Sequence, residues 1–399
     1  MAYDVCIIGA GLVGLGVGKA LSESNPGIDL VIVDKDGVAA HQSSHNSGVA
    51  HSGLYYRPGS LKARLCVEGR HMLEELCANE GIPFRRSGKL VIATQPSEVS
   101  PLDELERRGR ANGLSGLRRL DGDGLREIEP EAVGIDALHV PEAGVVDFPA
   151  MAGRLASILA SRGAKILIGQ PVTAITSHGD ESRILTPDTE IRARVVVNCA
   201  GLHSDRVAAL AGVRSEVRIV PFRGEYYTLA PEAAPLVRAL IYPVPDPRFP
   251  FLGVHFTRRI DDSVEVGPNA VLALGREHYR DSRANWGDFR ETLGTRGFRR
   301  LAMKHWWTGA NEMVRSRSRS MYARSARSLV PAIRAEHLIP GGAGVRAQAV
   351  APDGGLVDDF VIEVAGSTVH VLNAPSPGAT ASLAIGAHVA GLASQHLGR

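Results

Sequence analysis

Three glycines and one acid near the N-terminus have the spacing of a dinucleotide-binding turn. Gly9, Gly11 and Gly14 follow a short apolar run, and Asp34 lies twenty residues after Gly14. Gly9 permits a tight turn, Gly11 lets a pyrophosphate approach the backbone, and Gly14 lets a helix pack against the strand. The helix N-terminus attracts phosphates, and a carboxylate at Asp34 can accept both ribose hydroxyls of an adenosine. The spacing predicts a dinucleotide site without choosing between nicotinamide and flavin.

A long polar loop follows this acid. Residues 35–59 are rich in His, Ser, Asn and Gly. Loops of this length inside a compact domain are usually functional. Small side chains and exposed amides suit such a loop to wrap a phosphate and the tail of a cofactor. We expect the cofactor contacts here to come from Lys35, Ser44, His45, Asn46 and Ser47.

Two later stretches contain small residues at the ends of buried strands. One apolar strand ends at residues 200–201, and another leads into SPGAT at 376–380 before the last helix. Free amides at a helix N-terminus stabilise an electron-rich, anionic group. We expect further cofactor contacts from Val172, Ala200, Gly201, Ser376, Gly378, Ala379 and Thr380.

Composition indicates a globular protein with more than one core. The chain has 399 residues, of which 44% are hydrophobic and 22% charged, so two domains are expected. A net charge of +2 gives no electrostatic reason to expect nucleic acid as a partner. The four cysteines lack metal-ligand spacing, which favours a reducing compartment. No signal peptide or spanning segment is evident. We therefore expect a cytoplasmic location, with a peripheral position on the inner face of the membrane as the alternative.

Hydrophobic periodicity places these residues on predicted elements. Strands at 4–8 and 30–33 flank a helix at 12–23, as in a βαβ unit. Further strands are predicted at 88–94, 165–168 and 193–201, and a hairpin at 137–148. Helices are predicted at 60–80, with Ser60 as the N-cap, and at 102–112, 148–162 and 381–396. Two-residue alternation across 218–268 predicts an antiparallel sheet. Residues 296–334 are expected to be helical and basic, with Trp306 and Trp307. Such a run is usually a solvated face, but a membrane-surface contact is the sharper hypothesis.

The order of these motifs resembles the FAD-dependent D-amino-acid oxidase superfamily, and within it the L-2-hydroxyglutarate oxidases and dehydrogenases. The blocks carrying the closer resemblance are HQSSHNSGVAHSGLYY at 41–56, PGSLKA at 58–63, PFRGEYY at 221–227, PFLGVHFT at 250–257, GPNA at 267–270 and NAPSPGAT at 373–380. Family members more often end the second strand in Glu, so Asp34 is a departure that keeps the carboxylate. The resemblance implies FAD as cofactor and oxidation of L-2-hydroxyglutarate to 2-oxoglutarate.

The fold class expected is α/β (α+β), similar to D-amino-acid oxidase and glycine oxidase. A Rossmann-like FAD-binding domain would be joined to an antiparallel-sheet substrate domain. The boundaries we predict are 1–86, 149–217 and 335–399 for the FAD-binding domain, and 87–148 with 218–334 for the substrate domain.

Oxidation of a 2-hydroxy acid requires a base for the hydroxyl proton and cations for the carboxylates. Arg346, in a Gly-x-Arg setting that the superfamily uses for the substrate carboxylate, is the candidate clamp. The candidate bases are His51 and His255, because a neutral imidazole accepts a proton near working pH. In some superfamily relatives a His at a place similar to that of His51 is bonded to the flavin. Second candidates for the distal carboxylate are Tyr55, Lys62, Arg223 and Tyr226.

Several alternatives stay open from the residues alone. Another superfamily enzyme would act on an amino acid or glycerol 3-phosphate, and a flavin-binding regulatory protein would keep the dinucleotide motif without the chemistry. A nicotinamide enzyme is disfavoured, because residues 376–380 have no evident role for nicotinamide. The electron acceptor could be oxygen or a membrane quinone.

Overall fold

The computed structural model describes residues 2–246, 253–280, 284–304 and 318–397. The strands in these ranges are β1 Tyr3–Ile8, β2 Leu30–Val33, β3 Val49–Ala50, β4 Phe84–Arg85, β5 Lys89–Ala93, β6 Arg118–Leu120, β7 Asp136–Val140, β8 Gly144–Val146, β9 Lys165–Leu167, β10 Ala174–His178, β11 Glu181–Leu185, β12 Glu190–Asn198, β13 Arg218–Leu229, β14 Leu240–Pro243, β15 His255–Arg258, β16 Val264–Gly267, β17 Val271–Leu272, β18 Leu338–Val350, β19 Val361–Ala365 and β20 Thr368–Asn373. The helices are α1 Leu12–Ser24, α2 Leu61–Glu80, α3 Val99–Ala111, α4 Gly122–Ile128, α5 Phe148–Ser161, α6 Ser204–Leu210, α7 Trp286–Gly294, α8 Arg319–Arg327 and α9 Ser382–Leu397.

The first large sheet is Rossmann-like and confirms the predicted βαβ unit. Strand β1 lies between β12 and β2, all parallel, while β9 extends the parallel set beyond β2 and β20 pairs with β12. Helices α1, α2, α5 and α9 bury their apolar faces against one side of this sheet. The antiparallel strands β10 and β11, which the sequence analysis did not predict, continue the same sheet from β12, and their apolar residues pack with those on the other side of β1 and β2. Both faces are therefore covered, as a parallel sheet requires.

Small residues let the helices on this sheet approach closely. A Cβ atom on Gly16 of α1 would lie 2.6 Å from the carbonyl oxygen of Ser382 at the start of α9. A Cβ atom on Gly386 would lie 2.3 Å from the carbonyl carbon of Gly16. The predicted N-cap of α2 is also confirmed, because the Ser60 hydroxyl accepts the Ala63 amide at 3.1 Å. The two glycines thus let α1 and α9 pack in direct backbone contact.

The second large sheet is mostly antiparallel, in the order β17-β13-β16-β15-β14-β5-β7-β6, with β18 also paired to β13. The antiparallel pairing predicted across 218–268 is confirmed, because β13 pairs with β16, β16 with β15, and β15 with β14 in antiparallel fashion. Strand β14 also runs parallel to β5, with Leu240 opposite Lys89, and the sequence analysis did not predict this pairing. Residues on one face, including Leu90, Ile241 and Phe256, form a separate apolar core beneath α8. The opposite face carries Lys89, Tyr242 and His255.

Two further assignments differ from the expectation. The predicted hairpin at 137–148 is wrong, because β7 pairs with β5 and β6 whereas β8 pairs with β3 and β4 in a small third sheet. Strand β18 pairs with β13 along most of its length and so lies in the second sheet, although 335–399 was expected with the FAD-binding domain. Pairing between strands so distant in sequence has no local signal. The division into two domains otherwise stays a prediction.

The basic segment is only partly described. Residues 296–304 and α8 are helical, as expected, whereas Trp306 and Trp307 lie outside the described residues. The prediction was wrong for residues 328–334, which form turns after α8. Within the described ranges, none of the helices combines the length and the apolar character that crossing a bilayer requires.

Candidate active site

A cavity of about 1130 Å³ is lined by residues from both large sheets. Most residues predicted from the sequence to bind cofactor or substrate line it. They are Gly9, Gly11, Asp34, Lys35, His45, Asn46, Ser47, His51, Tyr55, Lys62, Val172, Ala200, Gly201, Tyr226, His255, Arg346, Ser376, Gly378, Ala379 and Thr380. Gly14, Ser44 and Arg223 do not line it. Segments far apart in sequence thus converge on one space.

The glycine turn at one end of the cavity excludes side chains by contact. Gly9 has a φ of 110°, and a Cβ atom there would lie 2.5 Å from the carbonyl oxygen of Cys199. A Cβ atom on Gly14 would lie 2.0 Å from the carbonyl oxygen of Gly9. Gly14 is therefore a packing residue of α1, as its place in the motif predicted, and not a contact of the cavity.

Asp34 is fixed beside this turn. Its Oδ2 accepts the Ala10 amide at 2.8 Å, and its Oδ1 accepts the Asp36 amide at 2.9 Å. The Leu12 amide, in the first turn of α1, donates to the Ser43 hydroxyl at 3.0 Å. The sequence analysis missed Ser43, which lines the cavity next to the predicted Ser44. The Ser44 hydroxyl instead donates to the His41 carbonyl at 3.2 Å, a hydrogen bond within the polar loop.

Lys35 is held in a charged cluster that joins the two sheets. Its Nζ lies 2.6 Å from a carboxylate oxygen of Glu277 and also pairs with Asp36. The same Glu277 carboxylate lies 2.8 Å from Nε2 of His203. The hydrogen bond with His203, with a further contribution from Lys35, lowers the pKa of Glu277 against the opposing effect of burial. This ion-pair cluster fixes the polar loop against the segment before α7.

The SPGAT stretch reaches the cavity at the start of α9. The Thr380 hydroxyl accepts the His51 amide at 3.1 Å and donates to the Val49 carbonyl at 3.3 Å. The Ser376 hydroxyl lies 3.3 Å from Nε2 of His51. A Cβ atom on Gly378 would lie 2.5 Å from the carbonyl oxygen of Ala374, so the chain turns tightly here. The stretch and the loop carrying His51 therefore form one wall.

His255 lies on the second sheet at the other end of the cavity. Its Nδ1 lies 2.9 Å from the Gly253 carbonyl, and its ring stacks on Tyr242 with centroids 4.0 Å apart. Burial, reinforced by the charges of Lys89 and Arg346, lowers the pKa of His255 to about 3 against the effect of the Gly253 carbonyl. Because a carbonyl accepts only from a protonated nitrogen, Nδ1 carries the proton of the neutral ring. Nε2 is then a proton acceptor.

His51 is the second neutral imidazole in the cavity. Burial lowers its pKa well below the ordinary value, and the neighbouring charge of Lys89 acts in the same direction. Its Nδ1 is shielded from solvent and has no hydrogen-bond partner among the described residues. A buried polar atom without a partner indicates a place where a ligand would bind.

Arg346 projects from β18 toward the same end of the cavity. It hydrogen bonds with the Tyr226 hydroxyl, and its charge opposes the burial that raises the pKa of Tyr226. Lys62 is 7% exposed and bonds both the side chain and the backbone carbonyl of Asp358 at 2.9 Å. Tyr55 lines the cavity, and its hydroxyl has no partner among the described residues.

Arg223 does not join this group. It lines a separate, smaller pocket together with Glu225 and Tyr227, and lies 3.5 Å from the Glu225 carboxylate. Tyr226 lines both this pocket and the cavity, whereas Arg223 lines only the smaller pocket. Its selection as a substrate contact is not supported by its position.

The sequence analysis missed two residues near the end of the cavity that contains His255. Tyr242 and Lys89 lie on the same face of the second sheet as His255. Lys89 is 1% exposed, and burial lowers its pKa to about 7. The signal available in the sequence was a lysine opening an otherwise apolar strand, KLVIA.

Known proteins are similar to this chain over nearly its whole length. The family model described as "FAD dependent oxidoreductase" matches residues 4–392. The chain is 47% identical over 391 residues to L-2-hydroxyglutarate dehydrogenase of Indibacter alkaliphilus, covering 98% of both chains. It is 42% identical to L-2-hydroxyglutarate dehydrogenase of Escherichia coli K12, covering 97% of this chain and 92% of the relative. The mitochondrial L-2-hydroxyglutarate dehydrogenase of Mus musculus is 42% identical, with 97% and 88% covered.

Solved structures support the fold. L-alpha-glycerophosphate oxidase from Mycoplasma pneumoniae with FAD bound has a TM-score of 0.80 at 21% identity, covering 100% of this chain and 95% of that chain. Glycine oxidase from Geobacillus kaustophilus has a TM-score of 0.73 at 21% identity, covering 99% and 95%. At these identities the likeness concerns the fold alone.

The position of Asp34 predicts a defect confined to dinucleotide binding. Asp34→Ala removes the acceptor that holds the Ala10 amide, and we expect it to weaken FAD binding by about tenfold to 100-fold, the usual effect of losing hydrogen bonds to a charged group. Titration of the apoprotein with FAD, followed by flavin fluorescence, measures this. The matched control is Asp29→Ala, which removes an exposed acid just before β2, the strand that Asp34 follows. Equal FAD affinities in the two variants would contradict the role of Asp34 in dinucleotide binding.

Proposed function

The chain belongs to the family of FAD-dependent oxidoreductases, and on this premise we propose that it oxidises L-2-hydroxyglutarate to 2-oxoglutarate. FAD is its cofactor, as the family match over residues 4–392 indicates. The observation that carries the proposal is the meeting of Arg346, neutral His255 and neutral His51 in the cavity that also holds the glycine turn. The relatives that are 41–47% identical over nearly the whole chain are named L-2-hydroxyglutarate dehydrogenase, which supports L-2-hydroxyglutarate as the substrate.

The residues lining the cavity suit FAD. Gly9 and Gly11 leave the backbone open to a pyrophosphate, Asp34 offers a carboxylate to the ribose, and the Ser376–Thr380 stretch would lie against the flavin. The shielded Nδ1 of His51 offers a further polar contact. When bound, FAD supplies the two-electron acceptor for the hydride that leaves the substrate Cα.

Arg346 would bind the C1 carboxylate of the substrate. A guanidinium binds a carboxylate through two parallel hydrogen bonds, which fixes orientation as well as position. Its hydrogen bond with Tyr226 limits its rotation. This would hold the hydroxyl and Cα at a constant place in the cavity.

His255 would accept the hydroxyl proton. The Gly253 carbonyl keeps Nδ1 protonated, which leaves the lone pair of Nε2 for the substrate, and the stack on Tyr242 holds the ring plane. A dianionic substrate placed nearby would raise the pKa of this imidazole and strengthen it as a base. His51 stays the alternative base, but its Nε2 is near the Ser376 hydroxyl and its loop is part of the wall near residues 376–380.

An amino acid or glycerol 3-phosphate is the alternative substrate within the same family. Glycine oxidase and glycerophosphate oxidase share the fold at 21% identity, which does not select the substrate. Steady-state assays with an artificial electron acceptor decide between them. We expect turnover with L-2-hydroxyglutarate and none with glycine, L-proline or glycerol 3-phosphate; the opposite preference would overturn the proposal.

Replacement of Arg346 should impair substrate binding. We expect Arg346→Ala to raise the KM for L-2-hydroxyglutarate by about 100-fold, since two charge-assisted hydrogen bonds are lost, while FAD stays bound. Steady-state kinetics and the flavin content of the purified variant measure both. Arg64→Ala, at an exposed position of α2, is the control for a change of net charge. Wild-type kinetics in Arg346→Ala would remove this residue from the site.

Replacement of His255 should impair the chemical step. We expect His255→Gln to slow anaerobic flavin reduction by about 100-fold or more, the usual contribution of a general base, with little change in the affinity for 2-oxoglutarate. Stopped-flow absorbance and a binding titration separate the two effects. His139→Gln, a histidine outside the cavity, should behave as the wild type. A variant in which binding alone is weakened would make His255 a contact and not the base.

The electron acceptor is proposed to be oxygen or a membrane quinone. Support for membrane contact comes from exposed cations in residues 296–304 and in α8. The first of these segments also contains Met303, which is 71% exposed. We expect the protein to co-sediment with anionic phospholipid vesicles at low salt and to be released at high salt, since screening removes the attraction. Failure to bind at low salt would leave oxygen as the acceptor, which oxygen uptake during turnover would then reveal.

A further inference from the structure

Lys89 differs from the other buried cations of the protein. Arg276 pairs with Asp205, Arg70 lies 3.1 Å from Glu74, and Lys62 lies 2.9 Å from Asp358. Lys89 is 1% exposed, yet no carboxylate of the described residues lies within ion-pair distance of its Nζ. A buried charge without a counter-charge is costly to keep.

Aromatic rings take the place of an acid around this ammonium. Nζ lies 4.1 Å from the centroid of the Tyr242 ring and 5.1 Å from that of the Tyr55 ring. Both tyrosines line the cavity. Lys89 therefore lies directly behind the cavity wall, at the end that contains His255.

The polar groups that line this end of the cavity offer Lys89 no negative charge. His51 and His255 are neutral, and both have pKa values that burial and the charges of Lys89 and Arg346 lower. The Tyr55 hydroxyl is shielded from solvent without a partner among the described residues. Arg346 would bind one carboxylate of the substrate. Lys89 and the Tyr55 hydroxyl are then available to bind the other carboxylate.

Resting on the proposed function, we propose that Lys89 is the specificity-determining cation for the second carboxylate of the substrate, acting with the hydroxyl of Tyr55. The two groups would select a five-carbon dicarboxylate over a 2-hydroxy acid whose chain ends in a methyl group. The substrate would bring the counter-charge that the protein does not provide. Lysine at this position is thus a positioning residue that acts on binding and not on the chemical step.

The test compares two ligands that differ only in the second carboxylate. Glutarate and valerate are titrated into the FAD-loaded wild type, Lys89→Met, Lys89→Arg and Tyr55→Phe, with the flavin absorbance spectrum as readout. We expect Lys89→Met to raise the glutarate Kd by about tenfold or more, as for a lost hydrogen bond to a charged group, and to leave the valerate Kd unchanged. Lys89→Arg should restore most of the preference. Tyr55→Phe should reduce it several-fold with the ring retained.

A matched control is available in the first sheet. Lys165 also lies over an aromatic ring, 5.2 Å from the centroid of Tyr3, but is exposed and outside the cavity. Lys165→Met should leave both Kd values unchanged. If Lys89→Met weakens glutarate and valerate equally, or neither, Lys89 is a structural cation and the inference is wrong. If Lys89→Met does not fold, an unchanged glutarate preference in Tyr55→Phe contradicts the inference by itself.

Failure of this inference is distinguishable from failure of the proposed function. A wild type that L-2-hydroxyglutarate does not reduce contradicts the proposed function whatever the variants do. A wild type that L-2-hydroxyglutarate reduces, with Lys89→Met and Tyr55→Phe keeping its preference for glutarate, contradicts the Lys89 assignment alone. With L-2-hydroxyglutarate and L-2-hydroxyvalerate as substrates, Lys89→Met should raise the KM of the dicarboxylate and leave its kcat nearly unchanged.

Discussion

The close approach of β1, its glycine turn and α1 is the constraint on which the cavity depends. A methyl group on Gly14 would lie 2.0 Å from the Gly9 carbonyl oxygen, and one on Gly9 would lie 2.5 Å from the Cys199 carbonyl oxygen. No side chain fits either place without moving the backbone. Asp34 then holds the turn through the Ala10 amide, and Ser43 receives the first amide of the helix. The glycine turn at this end of the cavity is therefore fixed by close backbone contacts together with the side chains of Asp34 and Ser43.

The far end is formed by side chains on one face of the second sheet. His255 and Tyr242 lie opposite each other on neighbouring strands, and Lys89 is two strands away from His255 on the same face. Burial keeps both imidazoles neutral, and Arg346 brings a guanidinium to the same end of the cavity. The site thus combines proton acceptors with positive charge. A dianionic 2-hydroxy acid supplies the negative charge and the proton that these groups would receive.

Local signals predicted much of this architecture from the sequence. The glycine spacing, the apolar strands and the Ser60 cap each involve residues close in the chain, and the structure agrees with them. Long-range pairing was not predictable in the same way. Nothing near Leu240 indicates that its strand runs parallel to β5, and nothing near Leu338 indicates that β18 joins β13. Lys89 was missed for a related reason, because its importance comes from Tyr55 and Tyr242, which approach it only in the folded chain.

The most direct measurement is the anaerobic visible spectrum of the FAD-loaded protein before and after addition of L-2-hydroxyglutarate, with the D-isomer as control. The account predicts that the L-isomer bleaches the flavin absorbance and that the D-isomer leaves it oxidised, because the proposed contacts with Arg346 and His255 would hold the substrate in one orientation relative to the cofactor. A flavin that stays oxidised with both isomers, in a protein that retains its FAD, would contradict the account.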